Sequence, residues 1–181
     1  MGLGQDGRVS DEDEGSYLDK SPDSGRMGKA AEYLVAAVSI LGTRGQLNVS
    51  TSLVDDEGVD LVFHRRGSTA TLAVQVKARM SDGSMVARGR LLANVRDATF
   101  MPRRNLDMLF VLVDIKAGAI QTAWLVPSFD FDALKGSLSK LGRYRFSASI
   151  KEGSADKWAP YRLTAAQLPE RIMDRLAELG A

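Results

Sequence analysis

The chain has 181 residues, no cysteine and a formal net charge of +1 at neutral pH. Its hydrophobic share of 44% suffices for one well-packed core, so a single domain is predicted. Without cysteine, neither a disulfide framework nor a thiolate metal site can form. No apolar run approaches the length of a membrane span, and the acidic start is unlike a secretory signal, so a soluble, cytoplasmic protein is expected.

The near-zero net charge hides an asymmetry along the chain. Residues 1–25 hold seven acidic and two basic side chains, which leaves 22 basic and 16 acidic side chains in the remainder. The sequence predicts a disordered acidic N-terminal tail over residues 1–25. Residues 26–181 are predicted to form one domain, with a core over 26–126 and a C-terminal wrapping segment over 127–181.

Basic side chains are concentrated in the middle of the chain. Residues 61–104 hold nine lysines and arginines against two acids, Asp82 and Asp97. Such a cluster indicates a polyanionic partner, and nucleic acid, most readily DNA, is expected. The arginines predicted to contact phosphates, with steeply salt-dependent binding, are Arg65, Arg66, Arg79, Arg88 and Arg90. A basic surface that meets some other anion is the alternative.

The first predicted element is a helix over RMGKAAEYLVAAVSILG, which ends near Gly42 or Gly45. Ser24 is its candidate N-cap. The residues predicted to form its apolar face are Ala30, Leu34, Ala37, Val38 and Leu41.

Three strands are predicted next. QLNVSTSL alternates Leu47, Val49 and Leu53, DDEG makes a turn, and VDLVFH leads through RRGST to TLAVQVKAR. In TLAVQVKAR the even positions are apolar, as in a half-buried strand. The first part of the fold is therefore a helix followed by a three-stranded meander.

The remaining elements complete and cover the sheet. SMVARGRLLANVRDATFMPRR fits a strand or a helix, and a strand over 88–96 with a short helical turn after it is favoured. MLFVLVDI is typical of a buried central strand and AIQTAWLVP follows it. PSFDFDALKG predicts a short helix and YRFSASI an edge strand. Thr164 and Gln167 form a capping box before an amphipathic helix through Ile172, Leu176 and Leu179.

The polar face of TLAVQVKAR carries Gln75 and Lys77 two positions apart. A hairpin that closes at about residues 66 and 67 places Asp60 opposite Ala73, diagonal to Gln75. A carboxylate, an amide oxygen and an ammonium group then converge on one face of the sheet. Magnesium accepts such oxygen ligands and keeps several waters.

Glu32 is the fourth candidate because it interrupts the apolar stretch AAEYLVAAV with a charge. Gly28, one turn earlier, leaves room for another group to approach. On a helical wheel Glu32 lies near Ser39, away from the predicted apolar face, where a surface glutamate would also lie. Taken singly, each of the four candidates fits an ordinary surface residue, and only their order in the chain indicates a site.

That order resembles the PD-(D/E)xK nuclease superfamily, with its restriction-endonuclease-like fold, over residues 26 to about 126. The matching segments are GKAAEYLVAAV with Glu32, EGVDLVF with Asp60, and VQVKAR with Gln75 and Lys77. The pattern looks closest to bacterial members related to Holliday-junction resolvases and to defence-associated nucleases. The resemblance implies an α/β fold with a mixed central sheet, built on an αβββαβ-type core and flanked by helices.

The resemblance also implies divalent-metal-dependent hydrolysis of phosphodiester bonds in DNA, with Mg²⁺ or, alternatively, Mn²⁺. Asp60, Gln75 and the backbone carbonyl of Val76 would surround the ion, and Glu32 would position it directly or through water. Lys77 would orient the attacking water and stabilise the developing charge. Cutting both strands takes two active centres, so a homodimer is compatible with this activity.

One position departs from the family pattern, because Gln75 stands where these nucleases usually carry an acid. An amide oxygen can bind magnesium but brings no negative charge, so the affinity should fall unless Glu32, Asp55, Asp56 or Glu57 compensates. The departure leaves a second interpretation open: a catalytically inactive nuclease-fold protein that acts as a nucleic-acid-binding or regulatory module.

Overall fold

The computed structural model describes residues 22–52 and 58–180. Its helices are α1 (Pro22–Gly42), α2 (Ser84–Ala87), α3 (Ser128–Leu134) and α4 (Gln167–Gly180). Its strands are β1 (Leu47–Thr51), β2 (Leu61–Arg65), β3 (Thr71–Met80), β4 (Arg90–Arg96), β5 (Leu106–Asp114), β6 (Ala119–Pro127), β7 (Arg143–Ser149) and β8 (Arg162–Leu163). Within these residues no helix has the length and apolar character needed to cross a membrane.

The fold is a mixed α/β arrangement around a six-stranded sheet with the strand order β1-β2-β3-β5-β6-β8. β3 and β5 are parallel, and the other neighbouring strands are antiparallel. The predicted mixed central sheet flanked by helices is confirmed, as are the initial helix and the three-stranded meander. Residues 1–21 of the predicted tail lie outside the described residues, and residues 22–25 begin α1.

The predicted apolar face of α1 is wrong by about one residue. The buried side chains are Ala31, Glu32, Val35 and Ser39, whereas Leu41 is 76% exposed. The Ser39 hydroxyl donates to the carbonyl of Val35 at 2.8 Å, so a polar side chain enters the core with its hydrogen bond made. Ser24 lies inside the helix and is therefore not its N-cap.

The β2–β3 hairpin has a different register from the predicted one. Val62 pairs with Ala73, and the Asp60 amide donates to the carbonyl of Val74 at 3.0 Å. Asp60 therefore lies beside Val74 and not opposite Ala73. The turn is centred one residue later than predicted, between Gly67 and the residue after it, and Gly67 has the positive φ of 76° that the turn requires.

Each face of the sheet carries its own core. On one face α1 and α4 pack over β2 and β3, and the buried side chains include Val35, Phe63, Leu72, Val74 and Ile172. On the other face the core is aromatic, and Phe110 of β5 stacks on Phe146 of β7 with ring centroids 3.6 Å apart. β5 is buried from Leu106 to Val113, which confirms the predicted central strand.

β4 and β7 form a separate two-stranded sheet, here named the ribbon, that lies on the aromatic face. The strand predicted over 88–96 and the helical turn after it are confirmed, since a 3₁₀ turn spans Asp97–Thr99. The strand predicted at YRFSASI is confirmed too, but its partner is β4 and not the central sheet. The reason is packing, because Phe146 and Ala148 are fully buried in the aromatic core.

α4 is held to the sheet by its predicted capping box and by a buried ion pair. The Thr164 amide donates to the Gln167 side chain at 2.9 Å, and the Gln167 amide donates back to the Thr164 hydroxyl at 3.3 Å. Arg175 makes two parallel hydrogen bonds of 2.8 Å to the carboxylate of Asp107, which is fully buried. The capping box is therefore confirmed, and the ion pair is an addition that the sequence did not reveal.

Candidate active site

Asp60 lies where β2 separates from β3. Its backbone amide makes the last ladder hydrogen bond, to Val74, and one oxygen of its carboxylate accepts the amide proton of Val76 at 2.6 Å. The side chain thus replaces the next backbone partner that β3 would have had. A hydrogen bond of this kind fixes the carboxylate at the edge of β3.

The Val76 carbonyl is directed to the same edge. Within a strand the N–H and C=O of one residue point to the same side, and the Val76 N–H is already bound to Asp60. β5 uses the other side of β3, as shown by the hydrogen bond from the Ala73 amide to the carbonyl of Asn105. The Val76 carbonyl and the Asp60 carboxylate therefore face one space beside β3.

Gln75 lies next to Asp60, because the amide and the carboxylate of Asp60 bond to Val74 and Val76, the residues on either side of Gln75. Its side chain is only 5% exposed and packs against Gly58. A Cβ at Gly58 would overlap the amide nitrogen of Gln75 and come within 3.2 Å of the Thr99 carbonyl. Gly58 also has a φ of 66°, so both its conformation and its lack of a side chain make room for the amide.

Lys77 follows Gln75 on the same face of β3, roughly 7 Å further along the strand. It is half-buried, as is Arg79 two residues later, whose guanidinium donates to the Ala78 carbonyl at 2.8 Å. Both side chains point to the aromatic side of the sheet, since Val76 and Ala78 point to the other. The Lys77 side chain therefore leaves β3 close to Asp60 and Gln75.

Glu32 is brought to the site by α1, and a second lysine comes with it. Glu32 is 9% exposed, so its predicted position on the solvated side of the helix is wrong. The Lys29 ammonium lies 2.5 Å from its carboxylate, and this hydrogen bond raises the pKa of Lys29, with added attraction from Asp60. Lys29 was not predicted, although its spacing from Glu32 in GKAAE is that of a helical ion pair.

The donor set fits a hard divalent cation with few protein ligands. Across residues 22–52 and 58–180 no three His, Cys, Asp or Glu side chains cluster as metal ligands, and this set has two carboxylates, those of Asp60 and Glu32. The Gln75 amide oxygen and the Val76 carbonyl supply neutral ligands. Magnesium takes one or two protein carboxylates and completes its octahedron with water, which this set permits. Asp55, Asp56 and Glu57, predicted to compensate for Gln75, lie outside the described residues.

The five arginines predicted to contact phosphates do not lie together. Arg65 and Arg66 are exposed at the far end of β2, roughly 16 Å along the strand from Asp60. Arg88 and Arg90 are exposed beyond the opposite end of β3, at the start of β4. His64 pairs with Thr71, the first residue of β3. Arg65 and Arg66 therefore lie beside the start of β3, whereas Arg88 and Arg90 follow its end.

The arrangement of the central sheet and helices defines an α/β fold that is also found in a known nuclease. The chain is similar to the solved structure of a bacterial homing endonuclease, I-Ssp6803I, with a TM-score of 0.53 and 16% sequence identity. The match covers 87% of this chain and 96% of that one, so the shared fold extends over most of both chains. No protein-family model and no curated protein sequence matches the chain.

Proposed function

We propose that this protein is a divalent-metal-dependent nuclease that hydrolyses phosphodiester bonds in DNA. The observation that carries the proposal is the Asp60 carboxylate bound to the amide of Val76, between Gln75 and Lys77 on β3. The burial of Glu32 near this position supports it. Further support comes from the fold shared with a homing endonuclease and from the resemblance of the motifs to the PD-(D/E)xK superfamily.

Each residue has a role that follows from its chemistry and place. Asp60, Gln75, the Val76 carbonyl and Glu32 would hold Mg²⁺ or Mn²⁺. When bound, such an ion polarises the phosphate and makes a coordinated water more acidic. Lys77 orients the attacking water by hydrogen bonding and stabilises negative charge on the phosphate as the new bond forms. Gly58 keeps the Gln75 amide in position because no side chain displaces it.

An inactive nuclease-fold module that binds nucleic acid is the second candidate, and one observation favours it. Lys29 pairs with Glu32, and Gln75 carries no charge, so Asp60 is left as the main negative group for a cation. An inactive protein of this kind would bind DNA in a salt-dependent way without cutting it. Cleavage assays therefore decide between the two candidates.

Replacing Lys77 by alanine should lower the cleavage rate by about 100-fold, since a positioned cation that stabilises the transition state is lost. The measurement is nicking and linearisation of supercoiled plasmid with magnesium or manganese. Linear product would indicate that both strands are cut, as expected of a homodimer. The matched control is Lys116→Ala, in the exposed turn between β5 and β6.

The outcomes of this assay separate the candidates. Loss of cutting in Lys77→Ala alone supports the nuclease. Equal cutting by the wild type and Lys77→Ala, after identical purification, would show that the activity comes from a contaminant. Absence of cutting by a wild type that still binds DNA would favour the inactive module.

Replacing Lys29 by glutamine should tighten Mn²⁺ binding by about tenfold, because it removes a cation that competes for the Glu32 carboxylate. Isothermal titration calorimetry without DNA measures this affinity, with Lys116→Gln as the control for loss of one surface charge. Unchanged or weaker Mn²⁺ binding would show that Glu32 does not take part in holding the ion.

A further inference from the structure

We propose that the outer face of the ribbon docks double-stranded DNA and guides it past the candidate active site. The inference rests on the proposed function, because it names the form of nucleic acid that this site receives. Of the arginines predicted from the sequence to contact phosphates, only Arg90 lies on this surface.

The two faces of the ribbon differ sharply in character. Leu91, Ala93 and Val95 of β4 are fully buried, as are Phe146 and Ala148 of β7, and these side chains pack into the aromatic core. The alternate residues must point away from that core. The ribbon is thus held rigidly on the sheet by its inner face, and its outer face is fixed in orientation.

The outer face carries four arginines and no acid. In the antiparallel register its directly opposed pairs are Arg90 and Ser149, Leu92 and Ser147, Asn94 and Arg145, and Arg96 and Arg143. Residues opposed in this way lie on the same face. Leu92, in the middle, is buried, and the arginines lie to either side of it. Arg90 and Arg96 are exposed, while Arg143 and Arg145 are half-buried.

The described acids nearest the two ends of the ribbon contact groups other than its arginines. Asp97, the acid next to the end of β4, accepts a hydrogen bond of 2.7 Å from the Tyr144 hydroxyl. Tyr144 belongs to the inner row because it is opposite Val95. Asp156, near the other end, accepts from the Ser149 backbone amide at 2.6 Å. The arginines give the outer face a positive charge, which complements a phosphate backbone.

One end of the ribbon adjoins the candidate active site. The carbonyl of Thr99, three residues after Arg96, lies 3.2 Å from where a Cβ of Gly58 would be, beside the amide of Gln75. Arg96 and Arg143 are therefore the arginines at the end of the ribbon nearest the site, and Arg90 is furthest from it. A polyanion bound along these arginines would therefore extend to Gln75 and Asp60.

The dimensions of the ribbon favour duplex DNA. From Arg90 to Arg96 the strand extends roughly 20 Å, which matches about six phosphates along one DNA strand. The major groove of B-DNA admits a two-stranded ribbon, whereas the deep major groove of an RNA duplex does not. No aromatic side chain points outward from the ribbon, so it offers no stacking platform of the kind that single strands use.

The test is the binding of a fluorescein-labelled DNA duplex of two helical turns, roughly 21 base pairs, measured by fluorescence anisotropy in EDTA. Arg96→Gln/Arg143→Gln should bind at least about tenfold more weakly than the wild type. The slope of log K against log salt concentration should fall by about two. Arg145→Gln is a second, milder variant, and thermal unfolding verifies that each variant is folded.

The matched control is Arg44→Gln/Arg171→Gln, which removes the same charge from the helix side of the sheet and should bind like the wild type. Equal weakening by this control, or wild-type binding by folded ribbon variants, would overturn the proposal. Tighter binding of the same single strand or of an RNA duplex would overturn the choice of duplex DNA.

Because this assay excludes divalent ions, it does not depend on cleavage. Ribbon-dependent binding by a wild type that never cuts would support the docking surface and reject the nuclease. Cutting by a wild type whose duplex binding is insensitive to the ribbon would support the nuclease and reject the docking surface.

Discussion

Asp60→Asn should lower the cleavage rate by at least roughly 1,000-fold while the protein stays folded. The carboxylate brings a negative charge to the Val76 amide, and its loss leaves neutral oxygens on β3 to hold a cation. An asparagine retains an oxygen that can accept the Val76 amide proton, so the end of the β2–β3 ladder is preserved. The effect on activity is therefore expected to arise from charge.

Asp114→Asn is the matched control. Asp114 accepts hydrogen bonds from the backbone amides of Lys116 and Ala117 at 2.9 and 3.0 Å, in the turn after β5. The same chemical change, at another carboxylate that binds backbone amides, should leave cleavage unchanged. Mn²⁺ titrations of both variants complete the comparison, since only Asp60→Asn should lose binding.

Retention of wild-type cleavage and Mn²⁺ binding by Asp60→Asn would contradict the proposed metal site. The catalytic interpretation of the edge of β3 would then have to be abandoned. Loss of cleavage with unchanged Mn²⁺ binding would instead show that the ion is held elsewhere and that Asp60 acts on the substrate.

The sequence predicts the elements of this fold better than their mutual positions. TLAVQVKAR reads as a strand because alternation is a local property, and Leu72 and Val74 are indeed fully buried. The register of β3 against β2 depends on where the turn is centred, and an error of one residue there placed Asp60 opposite Ala73, whereas its amide bonds to Val74. The observed position brings the Asp60 carboxylate to the Val76 amide, between Gln75 and Lys77.

The face of α1 shows why hydrophobicity alone misplaced Glu32. Ser39 reads as a surface residue, yet its hydroxyl is satisfied by the carbonyl of Val35 within the same helix. Glu32 is buried with Lys29 as its ion-pair partner. A polar side chain can lie on the buried face of a helix when its hydrogen-bond or ion-pair partner is one turn away. A helical wheel that counts only apolar residues then places the buried face at the wrong residues.

The ribbon could not be predicted because its pairs are distant in the chain. Arg96 and Arg143 are separated by β5, β6 and α3, and only the register of β4 with β7 makes them neighbours. Clustering of charge along the sequence favoured Arg65 and Arg66 instead, which the hairpin carries away from Asp60. Charge density along a chain thus indicates the kind of partner but not the surface that meets it.

The second large effect concerns stability. Arg175→Met should lower the free energy of unfolding by about 3–5 kcal/mol, because it leaves the fully buried Asp107 carboxylate without its counter-charge. The hydrogen bonds to Asp107 raise the pKa of Arg175, so the guanidinium is charged throughout the usual pH range. Urea unfolding at neutral pH measures the change. Arg26→Gln, which removes an exposed ion pair with Asp23, should cost no more than about 1 kcal/mol.

Glu178, in the same network, makes stability depend on pH in a defined direction. Hydrogen bonds from Arg171 and Arg175 lower the pKa of Glu178 below its ordinary value. A lowered pKa in the folded state contributes stability above the unfolded pKa, and this stability is lost as the pH falls through the folded value. The free energy of unfolding of Arg175→Met should therefore be lower than that of the wild type and should also change less with pH in the acidic range.

A double variant separates a buried unpaired charge from lost packing. Asp107→Leu/Arg175→Met removes both charges and leaves apolar groups in their places, so it should recover most of the stability that Arg175→Met loses. A double variant as unstable as Arg175→Met would contradict this account. It would show that α4 needs the hydrogen bonds of the pair, including that from Arg175 to the Arg104 carbonyl, to dock on the sheet.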